Sequence, residues 1–317
     1  MNLVFCGTPP FAVPTLQRLA GAGFQVRLVV TQPDRPSGRG LHLAPSPVKQ
    51  CALQLGLPVS QPARIKINPE FQSQLTALQP DAIIVVGYGR IIPQWMIDLP
   101  RLGNLNLHAS LLPKYRGAAP IQWAIAEGEA VSGVTTMRID AGLDTGDILL
   151  QRQLAILADD TAETLAPRLA AIGADLMVET LQGLQSGTLP AVPQDPAHAT
   201  LAPILEKEDG LINFQRPAKQ ICDRLRGFQP WPGAFTTFRG RNLHLWRAVW
   251  DVPPSFRPDP ATEPGTLLIA ADRIFVACGH NTALECLQLQ PEGKKRMPAP
   301  DFLHGYHPRS GDRLGTS

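Results

Sequence analysis

Along the first half of the chain, runs that are apolar on both faces alternate with stripes of apolar residues at helical spacing. Leu3-Val4-Phe5-Cys6-Gly7, residues 26–31 and Asp81-Ala82-Ile83-Ile84-Val85-Val86-Gly87 read as buried strands. A parallel strand covered by helices on both sides needs such an uninterrupted run. Residues 14–20, with Leu16 and Leu19 inward, 48–55 and 69–78 read as helices. Two more strands are expected at 105–108 and 134–139, with a helix at 118–126 between them. A long helix follows over 161–185, with Glu163 and Glu179 outward. The alternation predicts an α/β fold, a doubly wound, mostly parallel Rossmann-like sheet with its ligands at the carboxyl ends of the strands.

After this the pattern changes. Residues 188–204 are rich in Gly, Pro, Ser, Thr and Ala and read as a linker between a first domain, 1–187, and a second, 205–317. The second domain opens with a helix at 216–228. Short strands follow at 235–238, 243–249, 266–270, 274–277 and 282–289. Five short strands and a helix predict a small C-terminal β-barrel of the oligonucleotide-binding type.

Composition narrows the function classes. The 317 residues are 44% hydrophobic and 18% charged, which excludes a disordered chain. Thirty-two prolines form no repeat, so they read as stiff turns. Five cysteines without a C-x-x-C do not make a disulfide framework. Cys278, His280 and Cys286 match no zinc spacing, and no metal is expected. With no membrane-length apolar run and no signal-like start, a cytoplasmic monomer without a membrane partner is expected. A net charge of +2 gives no field that would collect nucleic acid globally. The charge is uneven, however: residues 201–317 carry 15 Lys+Arg against 12 Asp+Glu.

The nucleotide motifs are absent. No G-x-G-x-x-G follows the first strand, and Gly87-Tyr88-Gly89 has only two of the three glycines. The informative stretch is Asn106-Leu107-His108-Ala109-Ser110-Leu111-Leu112-Pro113. Residues two apart on a strand share a face, so Asn106 and His108 point together at the strand's carboxyl end. An amide beside an imidazole suits a carbonyl oxygen that gains negative charge. Ile139-Asp140-Ala141-Gly142-Leu143-Asp144-Thr145-Gly146-Asp147 lacks the ligand spacing of a calcium loop. It can deliver one carboxylate to the neighbouring strand end, beside His108. With no evident nucleophilic Ser or Cys, this chemistry reads as direct acyl transfer to an amine.

Four segments, Asn106-x-His108, Ser110-Leu111-Leu112-Pro113, Arg116-Gly117-Ala118-Ala119-Pro120-Ile121-Gln122 and Asp140-x-Gly142-Leu143-Asp144-Thr145-Gly146-Asp147, together resemble the folate-dependent formyltransferases. The resemblance extends to Thr31-Gln32-Pro33-Asp34-Arg35-Pro36-Ser37-Gly38-Arg39-Gly40, Pro45-Ser46-Pro47-Val48-Lys49, Phe228-Gln229-Pro230-Trp231-Pro232-Gly233-Ala234 and Leu289-Gln290-Pro291-Glu292-Gly293-Lys294-Lys295, in order along nearly the whole chain. It is similar to the branch that acts on charged initiator tRNA. The resemblance implies formyl transfer from 10-formyltetrahydrofolate to the α-amine of methionine esterified to that tRNA, at the start of translation. It implies Asn106, His108 and Asp144 as the catalytic trio and assigns folate contact to Ser110, Leu111, Leu112 and Pro113. Backbone at Val86, Gly87 and Tyr88, with the loop from Asp140, is placed along the pterin pocket. It assigns tRNA phosphate contact to Arg35, Arg39 and Lys49, although Leu41 and His42 stand where relatives often carry lysines. Lys294, Lys295 and Arg296, with Arg239, Arg241 and Arg247, are further candidates by charge. Trp231 is expected to pack the barrel against its helix. An amino-sugar nucleotide or glycinamide ribonucleotide as acceptor, and a non-catalytic RNA-binding module, remain the alternatives.

Overall fold

A computed structural model of the chain describes residues 1–37 and 42–315. Its elements run β1 (Asn2–Gly7), α1 (Val13–Gly21), β2 (Gln25–Val30), β3 (Arg35–Ser37), β4 (His42–Ala44), α2 (Pro47–Gln54), β5 (Val59–Ser60), α3 (Pro69–Leu78), β6 (Ala82–Val86), α4 (Gln94–Ile97), β7 (Asn104–His108), α5 (Pro120–Ala126), β8 (Val131–Arg138), β9 (Ile148–Ala155) and α6 (Ala162–Ser186). Then come α7 (Ala218–Gly227), β10 (Ala234–Phe238), β11 (Arg241–Val249), β12 (Leu267–Ala270), β13 (Arg273–Cys278), β14 (Thr282–Pro291), β15 (Met297–Pro298) and α8 (Ala299–Tyr306). Contacts divide the chain into two compact units. One comprises Met1–Ala118, Val131–Ala155 and Ala166–Ala202, the other Ala119–Ala130, Ile156–Leu165 and Pro203–Ser317.

The first unit is built on a seven-stranded sheet in the order β5-β2-β1-β6-β7-β8-β9. Its first five strands are mutually parallel, and β8 and β9 continue it antiparallel. All five residues of β6 are buried, as a central strand covered on both faces demands. Val4, Cys6, Ile83 and Val85 pack with Phe71 and Leu75 of α3 on one face. Prolines open helices here: Pro47 follows the cap Ser46, and Pro69 follows the cap Asn68. A proline at the first helical position gives up a hydrogen bond that would be unmade anyway. Much of the high proline count is thus punctuation.

The second unit holds a six-stranded antiparallel sheet, β10-β11-β14-β13-β12, with β15 on β14. Residues 311–315 hydrogen-bond to Leu267 of β12 at one edge and Thr237 of β10 at the other. The sheet's edges are thereby joined, as the barrel expectation requires. Ile221 and Leu225 of α7 and Phe302 of α8 pack with Leu243, Leu245, Val276 and Leu284 to fill it. Cys222, Cys278 and Cys286 lie in this core. All five cysteines are unpaired and buried. Burial raises the Cys222 and Cys278 thiols to about 12, so they stay neutral thiols.

One packing expectation is corrected. Trp231 is 55% exposed and does not pack the barrel against α7. Phe228, at the end of α7, is instead buried with Ala119, Ala126 and Leu205, edge-on to Trp123 at 5.3 Å with the Arg224 guanidinium over both rings. Among the described residues no helix is long and apolar enough to cross a membrane.

Candidate active site

Two of the candidate residues, Asn106 and His108, stand at the carboxyl end of β7. Leu105 and Leu107 are buried on one of its faces, which sends Asn106 and His108 together to the other. The loop after β8 returns Asp144 to them. Asn106 Nδ2 donates to Asp144 Oδ1 at 3.3 Å, and His108 Nδ1 lies 3.6 Å from Asp144 Oδ2. The structure therefore brings the three expected residues together. His108 is 6% exposed, and its Nε2 meets the Tyr115 carbonyl at 2.8 Å. That carbonyl can only accept, so Nε2 carries a proton and the ring presents Nδ1 to the site. Both ring nitrogens face acceptors; a neutral ring can donate to one of them, the cation to both.

Asp144 is fixed from three sides. Its Oδ2 accepts the Gly117 N–H at 2.9 Å, its backbone sits at φ 51°, and its carbonyl accepts from Gln194 Nε2 at 2.9 Å. Gly117 has φ +123°, and a Cβ there would lie 2.6 Å from the Ala202 carbonyl oxygen, so the residue that caps Asp144 has to be glycine. Gly146 is tighter still, because a Cβ would fall on the Arg138 carbonyl. Gly146→Ala is accordingly expected to displace the 140–147 loop and lower kcat by about tenfold or more, with a smaller loss of thermal stability. Steady-state rates beside a melting curve check this.

The remaining expected residues fall into distinct settings. Ser110 is buried, donates to the Lys114 carbonyl (2.6 Å) and accepts from Thr135 through its own carbonyl (2.7 Å). Leu112 is buried with a cis bond to Pro113, while Leu111 and Pro113 are half-buried. Ser110 thus shapes its loop from within. Val86 and Tyr88 turn their side chains into the core, and only Gly87 between them is exposed. The Tyr88 carbonyl accepts from Gln32 Nε2 at 2.9 Å. Asp140 is spent on its own loop, accepting the Gly142 N–H and the Thr145 hydroxyl.

Arg39 lies outside the described residues, as does Leu41. Arg35, on β3 where it pairs with β4, donates to Gln32 Oε1 at 2.7 Å. Lys49 is paired with Asp34 at 2.6 Å, and with Gln61 it holds the Asp34 carboxyl below the usual carboxylate range. Lys294, Lys295 and Arg296 are exposed at the turn between β14 and β15. The Arg296 guanidinium sits 3.4 Å over the Trp246 ring, on which His244 also stacks. Burial, then the Arg296 and Lys207 charges, push the His244 imidazole below its ordinary value. Arg239 is turned to the Tyr306 and His307 carbonyls and to Asp312. Among the described residues no cluster of three or more His, Cys, Asp or Glu could hold a metal.

Three contributors are not singled out by residue type or spacing. The Tyr115 carbonyl and Gly117 N–H are backbone groups, and Gln194 stands alone in an aperiodic segment. Thr135 could have been suspected, as a polar residue on the inward face of β8.

The formyl transferase family model matches residues 1–181, and the formyl transferase C-terminal domain model matches residues 204–307. The chain belongs to the formyl transferase family. Among its relatives, the methionyl-tRNA formyltransferase of Koribacter versatilis is 65% identical over 316 residues, covering 99% of each chain. That of Acidobacterium capsulatum is 62% identical and covers both chains fully. The solved N-formyltransferase of Helicobacter canadensis, in complex with folinic acid and dTDP-3-aminofucose, superposes with a TM-score of 0.66 over 91% of this chain and 98% of its own. At 19% identity that likeness shows the shared formyltransferase fold alone.

Proposed function

We propose that the chain transfers the formyl group of 10-formyltetrahydrofolate to the α-amine of methionine on initiator tRNA, in the cytoplasm, without an intermediate on the protein. The full-length identity of 62–65% to methionyl-tRNA formyltransferases carries this reading. Asn106, His108 and Asp144 supply its chemistry.

Asn106 has two amide hydrogens. One reaches Asp144, and the other is available to the formyl oxygen. His108, anchored through Nε2, donates from Nδ1 in its cationic form to the same oxygen as the amine attacks and negative charge builds there. Asp144 holds the imidazole and balances its positive charge. When the tetrahedral intermediate collapses, the carbon–nitrogen bond to the donor breaks. The donor nitrogen takes up one proton and the methionine nitrogen gives one up, so the transfer needs no oxidant, metal or covalent enzyme group. Alignment of amine and formyl carbon supplies much of the rate. Ser110, Leu111, Leu112 and Pro113, with backbone of 86–88 and the Asp140 loop, are proposed to hold the folate. Arg35, Arg39, Lys49, Lys294, Lys295 and Arg296 are proposed to hold tRNA phosphates.

The test is a panel of acceptors with 10-formyltetrahydrofolate as donor. Methionyl-tRNA is expected to be formylated far faster than an amino-sugar nucleotide or glycinamide ribonucleotide. Preference for the sugar would move the chain to the other branch, and absence of any transfer would revive a purely RNA-binding role. Within the same assay, Arg39→Ala is expected to raise KM for methionyl-tRNA about tenfold, the worth of one charged hydrogen bond. KM for the folate should stay within about twofold; equal loss on both substrates would remove Arg39 from the tRNA contact.

A further inference from the structure

Residues 191–202 do not hang free of the first unit. Val192 forms an antiparallel bridge with Ile148, both hydrogen bonds at 2.8 Å. Thr200 accepts the Tyr115 N–H on its hydroxyl and the Arg116 N–H on its carbonyl, each at 2.8 Å. The Arg116 carbonyl in turn accepts from the Ala202 N–H at 2.7 Å. Between these ties stands Gln194. Val192, Pro193 and residues 195–198 around it are exposed, yet the Gln194 side chain is drawn inward. Its amide nitrogen donates to the Asp144 carbonyl (2.9 Å) and the Gly146 carbonyl (2.7 Å). Its amide oxygen accepts from Arg116 Nε (3.1 Å) and from a terminal guanidinium nitrogen (2.7 Å). Two donors and two acceptor positions exhaust what a primary amide can do.

The contacts form a ring around the trio. Arg116 lies between Tyr115, whose carbonyl holds His108 Nε2, and Gly117, whose N–H holds Asp144 Oδ2. Gln194 joins this loop to the backbone of Asp144 and Gly146. We propose that the 191–202 segment is a positioning strap, and that Gln194 is the residue through which it sets Asp144 against His108. Gln194 touches no reacting atom in this scheme; it acts through the residues that do. The rate consequence rests on the formyl transfer proposed above, whereas the structural consequence does not.

Two variants separate the parts. Gln194→Glu keeps an acceptor for Arg116 and loses both N–H donors to the 144 and 146 carbonyls. Gln194→Ala removes all four bonds. Gln194→Glu is expected to lower kcat at least tenfold, with KM for both substrates within about twofold and little change in melting temperature. Gln194→Ala should lower kcat at least as far. In a second measurement, amide hydrogen exchange at Gly117 should quicken at least tenfold in Gln194→Glu, because the bond to Asp144 is no longer held in register. That reading stands whatever the acceptor proves to be, and it can be made on protein that catalyses nothing. Unchanged Gly117 exchange overturns the strap, as does a rise in KM with kcat intact. If Gln194→Ala fails to fold, Gln194→Glu decides alone, through the exchange measurement.

Discussion

His108→Ala is expected to lower kcat by about 10²–10⁴-fold, the range spanned by loss of a positioned acid–base group and of an oxyanion donor. KM for the two substrates should change by no more than about threefold, because the imidazole acts on charge that exists only as the amine attacks. The fold should survive. Removing the ring leaves the Tyr115 carbonyl without its partner and a small cavity at a 6% exposed position, a cost of about 1–3 kcal/mol. In a unit of this size that lowers the melting temperature by several degrees, so rates are to be compared well below the transition. A variant within tenfold of the parent kcat would remove His108 from the chemistry.

The second large effect belongs to Asp144→Asn. Asparagine keeps an oxygen for the Gly117 N–H and tolerates the left-handed backbone at φ 51°, so the loop should hold its shape. What it loses is the charge 3.6 Å from His108 Nδ1 and one acceptor for the Asn106 amide. A drop of about 10²–10³-fold in kcat is expected, with a melting temperature near the parent's. Because the two residues act on one charge, the double variant His108→Ala/Asp144→Asn should be at most about tenfold slower than the worse single variant. Rapid-quench kinetics on all three proteins measure both expectations. Fully multiplicative losses would mean that Asp144 works independently of His108.

The legible part of this molecule is its local part. Asn106 and His108 stand two apart on a strand, and strand period alone puts them on one face. β1, β2 and β6 announce themselves as apolar runs because both faces are covered, whereas the two-residue β5 is too short to show one. β9 shows no clear strand signature, because Ile148–Ala155 mixes Leu with Gln and Arg and is half-exposed at the sheet edge. The paired strands β3 and β4 and the helix α8 are too short to show a period. Gln194 could not be read at all. Its meaning comes from partners 48 to 78 residues away in a chain segment whose composition says only Gly, Pro and turn. Charge reading has the same boundary: Lys49 looks like a free cation in sequence, and 15 residues upstream Asp34 accounts for it.

The most direct measurement follows one turnover with the formyl carbon of 10-formyltetrahydrofolate labelled, with and without methionyl-tRNA, after rapid denaturing quench. The account predicts that label passes from the folate to the methionine nitrogen at the turnover rate. The protein band should stay unlabelled, and the donor should remain intact when the acceptor is left out. Label retained on the protein, or released from the donor at the turnover rate without acceptor, would contradict it.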